Sequence, residues 1–293
     1  MTSRTPAVRV RAGNTRVTGK EQYYTPADLA QKLTDELVRV VQGSAVPFVE
    51  RVVLEPAGGT GAFIEAAQNA GATSFVSFDI EPLHDRVAGG NFLEQKLDGV
   101  TGAVTLGNPP FGRNNALSIP FFNHAAPHSD FIAFIVPRSW RKWSVINRLD
   151  RNFRLVADHD ISIDYVDAAG NHIAAKKRLN TCFQIWQRSA EPRPHYSVED
   201  LGFVSKVGPD LADVSLTIFG FGCGTVKTIF ERRPNTTQMF LKLNHPRALE
   251  ALQAADFSRF FRHTAYTEAL SLQEINYLLN EYITGNAHLV ERV

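Results

Sequence analysis

Arg51-Val52-Val53-Leu54-Glu55-Pro56-Ala57-Gly58-Gly59-Thr60-Gly61 passes from an apolar run into a glycine loop, and Ala62 to Ala70 (AFIEAAQNA) follows, closed by Gly71. The β-branched run predicts a buried strand, the glycines a tight loop, and the alanine-rich stretch a helix. Strand, glycine loop and helix form the first unit of a doubly wound α/β sheet, whose ligands bind outside the carboxyl ends of the strands. The dinucleotide fingerprint requires a third glycine three positions after Gly61; Ile64 stands there, which disfavours NAD. Ser74-Phe75-Val76-Ser77-Phe78 predicts a second strand ending in Asp79, some twenty residues past the loop. A carboxylate there suits a pair of ribose hydroxyls.

Downstream, Ala103-Val104-Thr105-Leu106 predicts another buried strand, and Gly107-Asn108-Pro109-Pro110-Phe111-Gly112 the loop at its end. Two consecutive prolines lack N–H groups and hold φ near −65°, so this loop is stiff. It offers fixed carbonyl oxygens with an amide on one side and an aromatic ring on the other, a device for gripping a flat, amine-bearing group. A helix is expected around Ile119 to Ala126. Phe131 to Val136 is a continuous apolar run suited to a central strand. Phe153 to Val156 and Ile161 to Val166 predict short strands, and Asn180 to Gln187 a late one. Upstream, Thr25 before Pro26 predicts an N-cap with proline at the first helical position, and Leu29, Leu33, Leu37 and Val40 continue as an apolar stripe.

Composition sets the outer bounds. The chain has 293 residues, 44% hydrophobic and 21% charged, with a formal net charge of +1. That is one large domain, or one domain with an appendage, of ordinary globular make-up. Overall charge gives no case for nucleic-acid binding, which must rest on local patches. Cys182 and Cys223 provide neither metal spacing nor a disulfide framework, which fits a reducing cytoplasm. No apolar run has membrane-spanning length. His124 and His128 are interrupted by Pro127 and lack an acidic partner, so no metal is expected. Residues 1–20 form a basic, acid-free arm, residues 21–190 the main domain, and residues 191–293 a smaller region after Glu191-Pro192-Arg193-Pro194, with helices expected near 246–254 and 271–282.

Three elements now stand in a recognisable order: Tyr23-Tyr24-Thr25-Pro26, Glu55 to Phe63, and Asn108-Pro109-Pro110-Phe111. Together they resemble the S-adenosylmethionine-dependent amino-methyltransferases of nucleic acids, above all the DNA adenine-N6 enzymes in their gamma-type motif order. The resemblance covers roughly residues 20 to 190. It implies a doubly wound, mostly parallel seven-stranded sheet with an antiparallel hairpin strand, the class I methyltransferase fold, with a small C-terminal appendage. Similar elements occur in enzymes acting on RNA guanine and on protein glutamine, so structured RNA is an alternative acceptor. Cytosine-N4 in DNA and a non-catalytic partner-subunit role are further alternatives. Tyr-Tyr-Thr-Pro tilts the reading towards adenine in DNA.

The resemblance also implies roles. Asn108 and the Pro109 carbonyl would each accept an N–H of the exocyclic amine, with Pro110 stiffening the loop and Phe111 stacking on the flipped base. Tyr24 and Thr25 would lie at the methionine end of the cofactor, Thr25 near its carboxylate and Glu55 near its ammonium. Ala57, Gly58, Gly59 and Gly61 would let the backbone approach it. Asp79 would hold the ribose, and Ile80 and Phe92 would sandwich the adenine. Asn91 stands where the family usually has aspartate, which implies weaker cofactor binding than in an Asn91→Asp variant. Phe183 is the favoured late-strand aromatic for closing the base pocket. Arg138 to Arg154 carries six basic residues against one acid, Asp150, interleaved with Trp140 and Trp143. Arg138, Arg141 and Lys142, with Lys176 and Lys177 in a later loop, are therefore candidate phosphate contacts. The expected setting is cytoplasmic, of bacterial or phage-like kind, with room for a homodimer or second subunit in target choice.

Overall fold

The computed structural model describes residues 24–173 and 179–292. The basic arm, Tyr23, Lys176 and Lys177 lie outside these residues. Seven strands form the main sheet: β1 (Val52–Glu55), β2 (Ser74–Asp79), β3 (Ala88–Gly89), β4 (Ala103–Gly107), β5 (Ser129–Pro137), β6 (Phe153–Ile161) and β7 (Thr181–Arg188), in the order 3-2-1-4-5-7-6. Strands β3, β2, β1, β4 and β5 pair in parallel, and β7 enters antiparallel between β5 and β6. This is the class I methyltransferase sheet, with its reversed strand.

Burial on both faces explains the unbroken apolar run of β5. Phe131, Ala133 and Ile135 join the core under α1 (Ala27–Val41) and α2 (Ala62–Asn69), with Leu33, Leu37, Phe63 and Phe183. Ile132, Phe134 and Val136 point the other way, towards α3 (Ser118–Ala125). There Phe122 is the hub of an aromatic cluster, 5.4 to 6.4 Å from Phe153, Trp140, Trp186 and Phe134. Such spacings are those of edge-to-face ring packing. The two-residue strand period alone assigns each side chain to its layer.

Two expected boundaries move. Helix α1 begins at Ala27, with Pro26 extended at φ −58°, ψ 144° and no side-chain cap. Thr25 therefore does not cap the helix. The two short strands expected over 153–166 are one strand, β6, with a bulge between Leu155 and Ala157. Beyond Ile161 the chain runs as loop, and Val166 pairs with Tyr24 through backbone bonds of 3.0 and 3.1 Å.

The C-terminal region builds its own core. Four strands form an antiparallel sheet in the order β11 (Val226–Lys227), β10 (Val214–Thr217), β12 (Gln238–Leu243), β9 (Val204–Lys206), while β8 (His195–Val198) pairs with the last strand, β13 (Leu289–Arg292). Its helices include Ala248–Ala254 and Leu272–Thr284, close to those expected. The second opens on a capping box, in which Ser271 and Glu274 satisfy each other's backbone N–H. Leu216, Leu241, Leu252, Ile275 and Leu279 fill the space between sheet and helices.

This unit docks through residues that follow β5. The Lys142 ammonium lies 2.9 Å from Glu274, whose side chain is 3% exposed. Trp143 packs on Phe260 and Tyr277, each at 5.5 Å. A Lys142→Met variant is expected to lose about 3–5 kcal/mol of stability in denaturant titration, because it strands a buried carboxylate. A loss below about 1 kcal/mol, the range of an exposed pair, would contradict this role. Among the described residues no helix is long and apolar enough to cross a membrane, and no group of three or more His, Cys, Asp or Glu side chains is placed to hold a metal. His124 and His128 each bond a backbone carbonyl, of Gln95 and Val100, at 3.0 and 2.9 Å.

Candidate active site

Parallel strands β1, β2 and β4 end at one edge of the sheet, and between β1 and β4 the strand order reverses direction. That crevice is where a doubly wound sheet takes its ligand. Glu55 ends β1, Asp79 ends β2 and Asn108 follows β4.

Glu55 is 2% exposed, and its Oε2 has no hydrogen-bond partner among the described residues. Burial, reinforced by the nearby Asp79 charge, pushes its carboxyl well above the ordinary value of 4.5. A buried carboxylate with an unused oxygen is matched by a ligand cation. Asp79 ties the loop to the second strand: its Oδ2 accepts from the Gly59 N–H at 2.8 Å and its Oδ1 from the Glu81 N–H at 2.9 Å. Each oxygen retains acceptor capacity for a hydroxyl. Ile80, 77% exposed, offers an open apolar surface next to it.

The loop is glycine-dependent at two points. Gly59 has φ +47°, and a Cβ there would stand 2.6 Å from the Tyr24 ring. Gly61 has φ +80°, and a Cβ there would stand 2.4 Å from the His84 ring. Gly58, beside the half-buried Ala57, lies against Ser77, whose buried hydroxyl has no hydrogen-bond partner among the described residues. His84 and Ser77 carry no signal in the sequence; only the packing brings them to the loop.

Asn108 is half-buried, and its Nδ2 donates to the Thr25 hydroxyl at 3.2 Å. That bond spans 83 positions of chain and uses the oxygen freed by the shift in helix start. It orients the amide so that Oδ1 is left as an acceptor. Pro109 is buried and Pro110 exposed, while Phe111 is half-buried against the core that contains Phe183. Past Phe111 the chain is held by a link the sequence reading missed. Asn114 and Asn115 have φ of 54° and 61°, and the buried Asn115 donates to Ser139, after β5, at 3.0 Å. Consecutive asparagines, which tolerate left-handed backbone, were the available signal.

Several expected site residues are placed otherwise. Phe92 is 1% exposed, packed on Phe78, Phe121 and His124 at 6.2, 5.3 and 4.8 Å, so it supports the wall as core and offers no open ring face. Phe183 is fully buried between strands, its ring 5.9 Å from His159, and underlies Phe111 rather than closing an open pocket. The described residues of the expected phosphate track are placed in ion pairs. Arg138 pairs with Asp160 at 2.8 Å, Arg141 bonds Asp158 and Asp160 at 2.6 and 2.7 Å, and Lys142 is held by Glu274. Cations already neutralised by carboxylates are poor phosphate ligands.

Asn91 gains an explanation. Its Oδ1 accepts from the Leu93 N–H at 3.2 Å and its Nδ2 donates to Glu94 at 2.8 Å. An aspartate would put two carboxylates together, which offsets the charge it offers a ligand. Asn91→Asp alone is therefore expected to bind S-adenosylmethionine no tighter than the parent in calorimetry, and Asn91→Asp combined with Glu94→Gln tighter. A gain from the single change would refute the offset.

No protein-family model and no curated protein matches the chain. Similar solved structures are a proposed RNA methyltransferase of Pyrococcus horikoshii (18% identity, TM-score 0.46, covering 58% of this chain and 87% of the other) and the modification subunit of a proposed type I restriction enzyme of Vibrio vulnificus (18%, 0.42, 64% and 49%). A third is a proposed class I S-adenosylmethionine-dependent methyltransferase of Listeria monocytogenes (13%, 0.43, 60% and 64%). The chain spans about half the length of the Vibrio subunit, at 49%. These are likenesses of fold.

Proposed function

We propose that the protein is an S-adenosylmethionine-dependent methyltransferase acting on the exocyclic N6 amine of an adenine flipped out of DNA. The observation that supports this best is the bond from Asn108 to Thr25, which orients an amide acceptor beside the glycine loop. The cofactor suits the residues present: Glu55 offers an unpartnered buried oxygen to a cation, Asp79 retains acceptor capacity for ribose hydroxyls, and Ile80 gives the base an apolar surface. Bound there, it supplies an electrophilic methyl group on a sulfonium.

The chain's own residues address the weakness of the nucleophile, whose lone pair is delocalised into the purine ring. Asn108 Oδ1 and the Pro109 carbonyl accept its two N–H bonds. The nitrogen then pyramidalises, with its lone pair directed at the methyl carbon. When bound, the cofactor would supply that methyl group and keep the S–C bonding pair on its sulfur, and the surplus proton on the nitrogen, held by Asn108 and the Pro109 carbonyl, would pass to water. This is positioning plus preorganised electrostatics. Phe111 stacks on the base.

Radiolabelled cofactor offered with duplex DNA, single-stranded DNA and total RNA tests the acceptor, with digestion to nucleosides to identify the base. Label in N6-methyladenine of DNA is expected. Label confined to RNA would replace the reading by the same chemistry on structured RNA, and label in neither would refute methylation of nucleic acid.

A further inference from the structure

The exposed aromatic residues among those described are Phe219, Phe221 and Tyr266, at 48%, 105% and 41% exposure. They lie on two segments joined to each other. Phe219 bridges Ala269, the Gly220 N–H donates to the Glu268 carbonyl at 2.9 Å, and the Leu270 N–H donates to the Ile218 carbonyl at 2.9 Å. Every other aromatic ring described is buried or half-buried, so this concentration is not the usual scatter of single apolar groups.

The pair is fixed to the edge where the candidate active site opens. Strands β4 and β5 are parallel, so Asn108 and Arg138 leave the sheet at the same edge. The Arg138 N–H donates to the Asn180 carbonyl at 3.0 Å, and the Asn180 N–H donates to the Ala265 carbonyl at 2.8 Å. Lys142 adds a bond to the Ala269 carbonyl at 3.3 Å. The aromatic strip thus continues that rim onto the C-terminal unit.

Phe221 is its most prominent member. Gly220 and Gly222 on either side have φ of +82° and +78°, and the turn is closed by bonds from Cys223 N–H to Gly220 O at 3.1 Å and from Gly224 N–H to Thr217 O at 2.8 Å. Two left-handed residues reverse the backbone around a single phenyl ring and leave that ring entirely in solvent. Lys227, exposed and without an ion pair among the described residues, lies on the strand that follows. An isolated ring at the tip of a closed turn, with a free cation behind it, has the shape to enter a stack of flat bases. A flat protein partner would instead be met by a broad apolar face.

We propose that this strip is a base-stacking surface for the nucleic acid whose target base reaches Asn108, with Phe221 the ring that stacks. The inference rests on the reading of the site as a nucleobase amino-methyltransferase. It is tested with the full chain and a labelled mixed-sequence DNA duplex, its single strand and a total RNA fraction, followed by anisotropy. Phe221→Ala is expected to weaken binding by at least about fivefold, the low end of what one base–aromatic stack contributes, with cofactor affinity unchanged in calorimetry. Phe221→Trp should keep the affinity and show quenching of its fluorescence when the nucleic acid is added.

Binding of Phe221→Ala within twofold (on the order of 0.4 kcal/mol), or unquenched fluorescence of a bound Phe221→Trp, would overturn the stacking role while leaving the methyltransferase reading intact. Conversion of a dimer to a monomer by Phe221→Ala with nucleic-acid binding unchanged would assign the ring to a second copy of the chain and overturn it too. Failure of the parent to bind or methylate any of the three nucleic acids would overturn both.

Discussion

Asn108→Ala is expected to lose methyl transfer by about 10²-fold or more, the cost of removing one preorganised group that acts on the reacting atoms, while S-adenosylmethionine binds nearly as before. The reason is geometric. Asn108 donates to the Thr25 hydroxyl at 3.2 Å, and under the proposed function its remaining oxygen is the acceptor for the amine. Single-turnover transfer with radiolabelled cofactor measures the first effect and calorimetry the second. A double-mutant cycle sharpens the test. Thr25→Val removes the bond that orients the amide, so with Asn108 already replaced it should cost little more in transfer rate. Activity of Asn108→Ala within tenfold of the parent (on the order of 1.4 kcal/mol) would sink the assigned role, and additive losses would show that Thr25 acts independently of Asn108.

Glu55→Gln is expected to work in opposite directions on ligand and fold. Replacing the buried carboxylate that awaits a cation should weaken cofactor binding by about 10² to 10³-fold, since a buried charge left without its partner is costly. The unliganded protein should become more stable at alkaline pH. Burial raises the folded-state pKa of Glu55 above its ordinary 4.5, so across that window the folded state holds more protons than the unfolded one. Stability contributed by the neutral acid is complete below 4.5 and is lost as pH rises through the folded-state value. Glutamine does not titrate, so the melting temperature of the variant should fall less than that of the parent as pH rises above 4.5. Parallel curves for parent and variant would mean that Glu55 does not ionise under strain. Cofactor should remove the difference in the parent, because its ammonium favours the carboxylate.

Burial and the Asp79 charge thus make ionisation of Glu55 unfavourable without a cation beside it. The same principle explains why neighbouring basic residues make poor candidates. Arg141 lies between Asp158 and Asp160 on β6, and Lys142 reaches Glu274 in the C-terminal unit. Their charge is already used, one pair in bracing the sheet edge and the other in fastening two cores together. Under the proposal made above, nucleic-acid contact falls instead to the exposed aromatic strip and to Lys227, in a region of short strands and glycine turns.

What the chain determined by itself was whatever depends on near neighbours. Strand, glycine loop and helix over 51–70 follow from residues in contact along the backbone, as do the stiffness of Asn108-Pro109-Pro110-Phe111 and the two-faced burial of β5. Asp79 was legible because a strand of fixed length places its last residue at the sheet edge. Tertiary structure alone decided which of these groups remain available. Phe92 and Phe183 sit at positions the motif order points to, yet rings from other elements enclose them. Arg138 looked free beside its neighbours and is paired 22 positions away with Asp160. Thr25 read as a helix cap and instead orients Asn108 across 83 positions. Local periodicity records where a side chain points, whereas desolvation and charge pairing depend on atoms brought close only when the whole chain has packed.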